Sequence, residues 1–547
     1  MNSLLLLIGA IAIFIIAYIT YGRWLAKKWG IDFDKKTPAN TLTDGVDYVP
    51  ADAKVVLGHH FSSIAGAGPI TGPILASVFG WLPVYLWILV GSIFIGGVHD
   101  FGALFASLRH DGKSIGEIMK VNIGKRGKLL FDIFAYATLI LVVAAFTSIC
   151  AGTFAYNPAT PENLTGARAG TASLLFIALA VAFGYFVYRK SAKLGVATIV
   201  GVVVLFLCIW IGYAFPVVKL SQGAWNVILI IYIALASILP VWILLQPRDY
   251  LCSFLLYAML IGGIIGVLFS NPSISEIPMF SGFKVNGNTL FPFLFVTVAC
   301  GAVSGFHSLV SSGTTAKQVK SEKDAQLIGY GAMLIEGVVA VLALIAVASV
   351  AKADGSTPAQ IFSNGLATFM NKFGLPMEIG RIFVTLTFSA FALTSLDTAT
   401  RIGRYIFQEL FDDASEPVKK FFGNIYTSTI ITVLLAAILL GYGYDKIWPM
   451  FGSANQLLAA LSLLAITAWL AKRGKKTIMT IIPMIFMFIV TLVALALLIK
   501  TNIFGATPNY MLGIIAVILF ILAIVIVVES FTSIKKAKND ATPSAKA

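Results

Sequence analysis

Titratable side chains inside apolar segments are the first candidates for chemistry in this chain. His59 and His60 are adjacent, His99 precedes Asp100, and His307 lies in a hydroxyl-rich segment. Histidine has an unperturbed pKa of roughly 6.5, so it can hydrogen-bond a substrate carboxylate or carry a coupling proton. No HExxH or HxxxH spacing occurs, so a metal site is not predicted.

Two acids, Asp100 and Glu336, lie within stretches apolar enough to cross a membrane. A carboxylate in the hydrocarbon region costs about 2.5–3.5 kcal/mol on insertion scales. Both side chains should therefore face the interior of a helix bundle and have a partner. A proton relay and a buried structural pair remain alternative interpretations of His99–Asp100, and the same holds for Glu336.

Hydroxyl side chains recur around His307 at steps of three and four residues. On one continuous helix, Ser304, His307, Ser308, Ser311 and Thr315 would form a single polar stripe. Such a stripe is typical of a substrate or ion face, although membrane helices also use hydroxyls as interhelical contacts.

Charged residues near predicted helix ends suggest gating. Arg248 can bind a carboxylate bidentately, or it can pair with Asp249 and close the inner mouth. Asp397 and Arg401 are four residues apart, which is the spacing of a salt bridge on one helix. A gating pair and an ordinary helix-end ion pair both remain possible for these two residues.

The segment from Val55 to Trp81 is the element most suited to position these groups. It reads VVLGHHFSSIAGAGPITGPILASVFGW and is long enough to cross a bilayer. Its glycines and prolines argue against one uniform helix, because proline removes a backbone donor and glycine loosens the turn. Interrupted hydrophobic segments indicate transporter binding sites near the bilayer midplane. A kinked packing helix is the alternative.

A second interrupted segment is predicted in the seventh span. Pro240 and Pro247 bracket its end, with Trp242 between them. It runs opposite to the second span and lies five spans later, which is the relation expected of inverted five-helix repeats.

Composition restricts the class of protein. The 547 residues are 58% hydrophobic and 12% charged, with a mean hydropathy of +0.90, which indicates a polytopic membrane protein. We predict about fifteen spans. Alternate loops hold most of the 39 Lys and Arg residues, which places the N-terminus outside and the C-terminus in the cytoplasm. The basic residues punctuate hydrophobic spans, so the net charge of +14 does not indicate nucleic-acid binding.

The chain contains no Walker P-loop and no HExxH sequence, so ATP hydrolysis and metal-dependent intramembrane hydrolysis are not predicted. The four cysteines lie inside apolar runs without metal-ligand spacing. The predicted organisation is an N-terminal helix and loop (1–54), a first five-helix repeat (55–222), a second repeat (223–396), further helices (397–532) and a disordered cytoplasmic tail (533–547).

Several long motifs resemble one family. They are GHHFSSIAGAGPITGP (58–73), GGVHDFGALFASLRHDGKSIGE (96–117), LPVWILLQPRDYL (239–251), ACGAVSGFHSLVSSGTTAKQ (299–318), SLDTATRIGRYIFQEL (395–410) and WPMFGSANQLLAAL (448–461). Together they are similar to the carbon starvation protein family (CstA). The resemblance implies a bacterial inner-membrane carrier for peptides or pyruvate, driven by protons, with the LeuT-type fold of two inverted five-helix repeats spanning helices two to eleven.

We therefore expect a secondary-active importer that works by alternating access and needs no cofactor. The expected partners are a peptide or pyruvate and the lipid bilayer; the oligomeric state is not predicted. Coupling to sodium through the span-nine hydroxyls, a transceptor or channel without concentrative transport, and an intramembrane enzyme are the alternatives. Peptide and pyruvate are not distinguished. The predicted coupling residues are His59, His60, His99, Asp100 and Glu336, and the predicted gating residues are Arg248, Asp249, Asp397 and Arg401. The predicted substrate-binding residues are His59, His60, Phe61, Gly66, Gly68, Pro69, Trp242, Gln246, Ser304, His307, Ser308 and Ser311.

Overall fold

Helices form nearly all the regular structure of the described chain, as the apolar spans require when no water is present to satisfy the backbone. The computed structural model describes residues 2–45, 48–190, 192–240, 242–351 and 355–540. The first half contains α1 (Ser3–Trp29), α2 (Pro38–Thr41), α3 (Ala53–Ile64), α4 (Gly68–Phe79), α5 (Trp81–Leu108), α6 (Ile115–Asn122), α7 (Lys125–Phe154), α8 (Thr165–Val187), α9 (Leu194–Ala214), α10 (Gln222–Ile238) and α11 (Leu245–Ser270).

A two-stranded hairpin, β1 (Lys284–Val285) and β2 (Asn288–Thr289), precedes the second half. There follow α12 (Leu290–Thr297), α13 (Gly305–Gly313), α14 (Glu322–Ser349), α15 (Pro358–Asn371), α16 (Met377–Glu409), α17 (Glu416–Phe422), α18 (Ile425–Leu440), α19 (Tyr444–Lys472), α20 (Ile478–Phe504) and α21 (Tyr510–Asp540).

The predicted interruption of the second span is confirmed. Helices α3 and α4 are bent by 43° at residues 65–67. Asp52 caps the start of α3 by accepting from the backbone N–H of Lys54. Pro69 lies in the first turn of α4, where its missing N–H would have no helical partner in any case. The break is therefore shorter than the Gly66–Gly72 stretch that the sequence suggested.

The ninth span is also interrupted, which the sequence analysis did not predict. Residues 298–304 separate α12 from α13, and Ser304 has an extended backbone as the N-cap of α13. The prediction of one continuous helix over 290–312 is therefore wrong. The helical part of the proposed polar stripe is limited to residues 305–313.

The two broken crossings pack directly against each other. Helix α3 packs on α13 and α4 packs on α12, so the crossings run antiparallel. Glycine permits this contact at Gly72, where an added Cβ would lie 2.6 Å from the carbonyl oxygen of Thr297. At Gly301, an added Cβ would lie 3.4 Å from the Cα of Pro69. The backbones therefore meet where both helices are open.

Two sets of five crossings repeat this packing. The first set is α3/α4, α5, α7, α10 and α11, and the second is α12/α13, α14, α16, α18 and α19. Helices α7 and α16 pack on each other, and both α10 and α18 pack on that pair. Helix α11 packs on the first broken crossing and α19 packs on the second. The α8–α9 hairpin is inserted between α7 and α10.

This packing corrects the repeat boundaries of 55–222 and 223–396, because the second repeat begins at α12. The predicted first repeat counted α8 and α9 as two of its five crossings, which placed its end too early in the chain. The interruption predicted near Pro240 exists, but it separates α10 from α11 and does not bend one crossing.

Within the described part of the chain, eleven helices are long and apolar enough to span a membrane, or up to thirteen if each bent pair is one span. Helix α10 has 17 residues, and the second broken crossing consists of short helices. The count of about fifteen therefore stays a prediction. Helix α21 continues to Asp540, so residues 533–540 are helical where a disordered tail was predicted, and residues 541–547 lie outside the described chain.

Candidate functional site

Four titratable side chains form a buried cluster beside the second broken crossing. A hydrogen bond of 2.7 Å joins His99 Nδ1 and Asp100 Oδ1, and one of 2.8 Å joins His307 Nδ1 and Asp100 Oδ2. The Nε2 atom of His307 lies 3.5 Å from Glu336 Oε2. All four side chains are fully buried. We call His99, Asp100, His307 and Glu336 the imidazole–acid cluster.

The contact between His307 and Glu336 in this cluster is too long for an ordinary hydrogen bond. A separation of 3.5 Å is longer than an ordinary N–H···O hydrogen bond. Both carboxylate oxygens of Glu336 and the Nε2 of His307 lack a hydrogen-bond partner among the described residues. Because Glu336 is on α14 and His307 is on α13, a small shift between these helices would close the gap.

Neighbouring backbone features position the cluster. Helix α5 passes through a π-helical turn at Ser92–Gly96 just before His99. An added Cβ at Gly96 would lie 2.3 Å from the carbonyl oxygen of Ala302, so α5 is in backbone contact with the second break. π-Turns of this kind are frequent at functional sites.

Two consecutive residues of α19 fix the ends of that break. The Oδ1 of Asn455 accepts from the backbone N–H of Phe306 at 2.9 Å, and Asn455 Nδ2 donates to Ser304 Oγ at 3.0 Å. Gln456 Nε2 donates to the carbonyl oxygen of Phe295 at 2.8 Å. From the sequence, this polar pair inside an apolar span is expected to hydrogen-bond between helices, and both side chains do so.

A second buried cluster contains an arginine. The guanidinium of Arg248 donates to Asp397, to Tyr232, to Asp249 Oδ1 at 3.3 Å and to Thr394 Oγ1 at 3.1 Å. The hydroxyl of Tyr232 donates to Asp397 Oδ2 at 2.8 Å. We call these five residues the arginine cluster; they connect α10, α11 and α16.

The i,i+4 pair predicted for Asp397 and Arg401 is wrong. Asp397 pairs with Arg248, which is 149 positions away in the chain. Arg401 donates to the carbonyl oxygens of Ala236 and Leu239, at 2.7 and 2.5 Å, where α10 ends. The last carbonyl oxygens of α10 have no donor within the helix, whereas the Asp397 carboxylate is already paired with Arg248. Arg401 therefore donates to the carbonyl oxygens.

The adjacent histidines of α3 point to different partners. His59 Nδ1 lies 3.4 Å from Asp249 Oδ2, beside the arginine cluster. His60 Nδ1 is hydrogen-bonded to Thr315 Oγ1 at 2.9 Å, just beyond α13. Successive residues on a helix point about 100° apart, which explains the separation.

Some of the remaining predicted binding residues lie at the broken crossings, and the others pack against neighbouring helices. Ser308 is hydrogen-bonded to Ser462 on α19, whereas the Ser311 hydroxyl is buried without a partner among the described residues. Phe61 stacks on Tyr257, and Trp242 lies under the guanidinium of Arg189, so both pack against neighbouring helices. Gly66, Gly68 and Pro69 lie at the first break, Ser304 caps the second break, and Gln246 lines a cleft near His59.

Sequence reasoning missed Tyr232 and Thr394, because a single hydroxyl in an apolar span carries no spacing signal. Among the described residues, no group of three or more His, Cys, Asp or Glu side chains is arranged to hold a metal ion. The imidazole–acid cluster consists of nitrogen and oxygen groups that can exchange a proton, joined by two hydrogen bonds.

Comparison with known proteins assigns the sequence motifs to one family. The family described as carbon starvation protein CstA matches residues 2–356 and 350–494. The peptide transporter CstA of Bacillus subtilis is 32% identical over 97% of this chain and 96% of its own length. The pyruvate/proton symporter BtsT of Escherichia coli is 31% identical over 92% of this chain and 82% of its own length.

The fold is similar to that of a solved structure with little sequence identity. A manganese transporter from Eremococcus coleocola aligns with a TM-score of 0.55 and 12% identity, over 90% of this chain and 99% of that one. This similarity concerns the fold alone. The predicted fold class, an all-α polytopic membrane protein with LeuT-type inverted repeats and discontinuous helices, is confirmed.

Proposed function

The chain belongs to the carbon starvation protein CstA family, and from this premise we propose that it is a secondary-active importer of peptides or small carboxylates such as pyruvate, driven by protons. The named activities of its relatives, peptide transport and pyruvate/proton symport, support this assignment. The protein crosses the membrane many times, and we place it in the bacterial cytoplasmic membrane with its N-terminus outside.

The substrate binds where the two broken crossings meet. Open helix ends expose backbone donors and acceptors, and the N-terminus of a half-helix favours an anion. Pro69 and Gly301 are in contact at this point, and the unpartnered hydroxyl of Ser311 is a further group for a substrate. Alternating access then requires the crossings to move relative to the α7–α16 pair.

The coupling proton is carried by the imidazole–acid cluster. The observation that supports this role is the continuous series of short contacts from His99 through Asp100 to His307, which ends 3.5 Å from Glu336. Each of these groups can gain or lose a proton, and each is isolated from water. Substrate at the second break would bias the α13–α14 gap and so link its own binding to proton transfer.

Sodium coupling has less geometric support. The proposed sodium ligands were the hydroxyls of span nine, but α13 is too short to align all of them. Ser308 is already bonded to Ser462, and Thr315 to His60.

Initial uptake rates in proteoliposomes test the proposal. An inward proton gradient should drive accumulation of pyruvate or alanyl-alanine, and an equal sodium gradient at constant pH should not. A collapse of accumulation on adding a protonophore is the expected control. Sodium-driven accumulation that survives the protonophore would overturn proton coupling, and equilibration without accumulation would favour a channel or transceptor.

The substrate can be identified in the same vesicles. Unlabelled pyruvate and alanyl-alanine should be compared as competitors of each labelled compound, in the wild type and in His59→Ala and His60→Ala. Competition by only one compound names the substrate. Mass spectrometry of the imported compound should show it unchanged; a modified compound would indicate an enzyme.

A further inference from the structure

A narrow cleft opens between α3, α11, α16 and the segment that follows α13. It is lined by nine residues, among them His59, Gln246, Lys317, Gln318 and Arg401. Its cavity volume is only about 20 Å³. The cleft is therefore nearly closed.

The charge of the cleft has one sign. Arg401 and Lys317 are cationic, and none of the nine described lining residues has a carboxylate. Asp249 is the nearest acid, 3.4 Å behind the His59 ring. An anion entering the cleft would therefore meet two cationic side chains and no carboxylate among the described lining residues.

Two buried side chains that line the cleft have polar atoms without a hydrogen-bond partner among the described residues. Arg401 is 5% exposed and His59 is 3% exposed. The Nε of Arg401 and the Nε2 of His59 have no hydrogen-bond partner among the described residues. The Nε–H of Arg401 is a buried donor without a partner, which is unfavourable, so it favours a ligand that supplies an acceptor.

Lys317 also lines the cleft and lies beside two aromatic rings. Its Nζ lies 5.4 Å from the ring centroid of Tyr48 and 5.7 Å from that of Tyr405. The backbone next to it is tied to the segment after α2, since Val49 N–H donates to the carbonyl oxygen of Lys317. This cation is thus fixed at the mouth of the cleft.

We propose that this cleft is a release subsite for the carboxylate of the transported substrate, which it occupies between the crossing and the cytoplasm. The proposal rests on the proposed function. Arg401 and His59 bind the carboxylate oxygens by charge-assisted hydrogen bonds, and Lys317 attracts the anion outward. The cleft widens when the cytoplasmic end opens, and it is nearly closed in the conformation described here.

Sided transport measurements test the subsite. Counterflow of pyruvate should be measured in inverted membrane vesicles, where the cytoplasmic face meets the bath, and in right-side-out vesicles. We expect Lys317→Gln to raise the half-saturation concentration about threefold to fivefold at the cytoplasmic face only, an effect that high salt removes. Lys372→Gln, in the loop after α15, is the matched control and should change neither value.

Binding to the protein in detergent provides a second measurement, independent of transport. Pyruvate should raise the unfolding temperature of the wild type and of Lys372→Gln more than that of Lys317→Gln. Pyruvamide, which lacks the carboxylate, should have little effect on any of them.

The outcomes separate the two proposals. Wild-type vesicles without substrate counterflow would reject the proposed function. Normal counterflow with equal changes at both faces, or with none, would overturn the release subsite. Equal stabilisation of the wild type and Lys317→Gln, or stabilisation by pyruvamide equal to that by pyruvate, would also overturn it.

Discussion

The imidazole–acid cluster and the arginine cluster are both fully helical, buried sites, but they differ in what can change. The first consists only of groups that can exchange a proton: His99, Asp100, His307 and Glu336. The second is built on Arg248, whose guanidinium stays charged in proteins. The first cluster therefore contains no permanent charge, whereas the second is organised around one.

The two clusters also differ in completeness. Arg248 has four hydrogen-bonding neighbours from three helices. Glu336 has none among the described residues, and its nearest imidazole nitrogen is 3.5 Å away. A fixed charge with four hydrogen-bonding neighbours is suited to holding α10, α11 and α16 together, whereas an acid without such a neighbour is suited to taking up and releasing a proton. This contrast predicts different consequences for substitutions in the two clusters.

The largest effect is expected for Asp100→Asn. The amide cannot accept and return a proton between the two imidazoles, so proton-driven accumulation should fall to the level of empty liposomes. Substrate counterflow, which needs no net proton movement, should persist. The exposed acid variant Glu276→Gln should behave as the wild type in both assays. Accumulation retained by Asp100→Asn would remove the cluster from the coupling path.

A large loss of stability is expected for Asp397→Ala. Removing Asp397 breaks a buried ion pair and leaves Arg248 with only the longer contact to Asp249, at 3.3 Å; breaking a buried pair costs about 3–5 kcal/mol. Thermal unfolding in detergent should show this loss, and it should be mostly recovered in the double variant Arg248→Met/Asp397→Leu. Glu336→Gln removes no hydrogen bond of the described structure and should unfold near the wild-type temperature. Equal destabilisation by Asp397→Ala and Glu336→Gln would contradict the contrast between the clusters.

A smaller effect is expected for Asn455→Ala, which tests how the first cluster is positioned. Loss of the acceptor for the Phe306 N–H should cost about 0.5–2 kcal/mol, as for other helix caps. Hydrogen exchange measured by mass spectrometry should become faster around residues 298–306. Gln456→Ala should act mainly at the end of α12. Unchanged exchange in both variants would show that α19 does not hold the break.

The smallest effect is expected for His59→Gln. His59 lies beside Asp249, outside the imidazole–acid cluster, so the steady accumulation ratio of substrate should equal that of the wild type. The rate of transport can differ from that of the wild type, because His59 also lines the cleft that we propose as the release subsite. A reduced accumulation ratio would place His59 in the coupling path, where the sequence analysis had placed it, and would weaken the separation of the clusters.

Local sequence was sufficient for the first broken crossing. Gly66, Gly68 and Pro69 act on their own turn of backbone, so the bend appears where these residues occur. The second break at 298–304 has Gly301 but no proline, and its ends are supported by Asn455 and Gln456 from far along the chain. No local signal was strong enough to predict it.

The candidate site was predictable in its residue types and less so in its contacts. His99–Asp100, His307 and Glu336 were selected because polar groups in apolar spans need partners, yet Asp100 and His307 are 207 positions apart. Adjacent His59 and His60 were treated as one unit, but their directions on α3 separate them. The i,i+4 spacing of Asp397 and Arg401 also predicted the wrong pair, because each side chain is hydrogen-bonded to another helix.

By itself the sequence determined that this is a many-helix membrane protein with an opened crossing near its start. Apolarity, glycine and proline act on the segments that contain them, so they can be interpreted without knowing the neighbours. Only the tertiary structure decided which acid meets which base, and that the second break lies against the first. Those contacts depend on helix packing between residues one hundred or more positions apart, where a buried charge is stabilised by whichever partner the fold brings within reach.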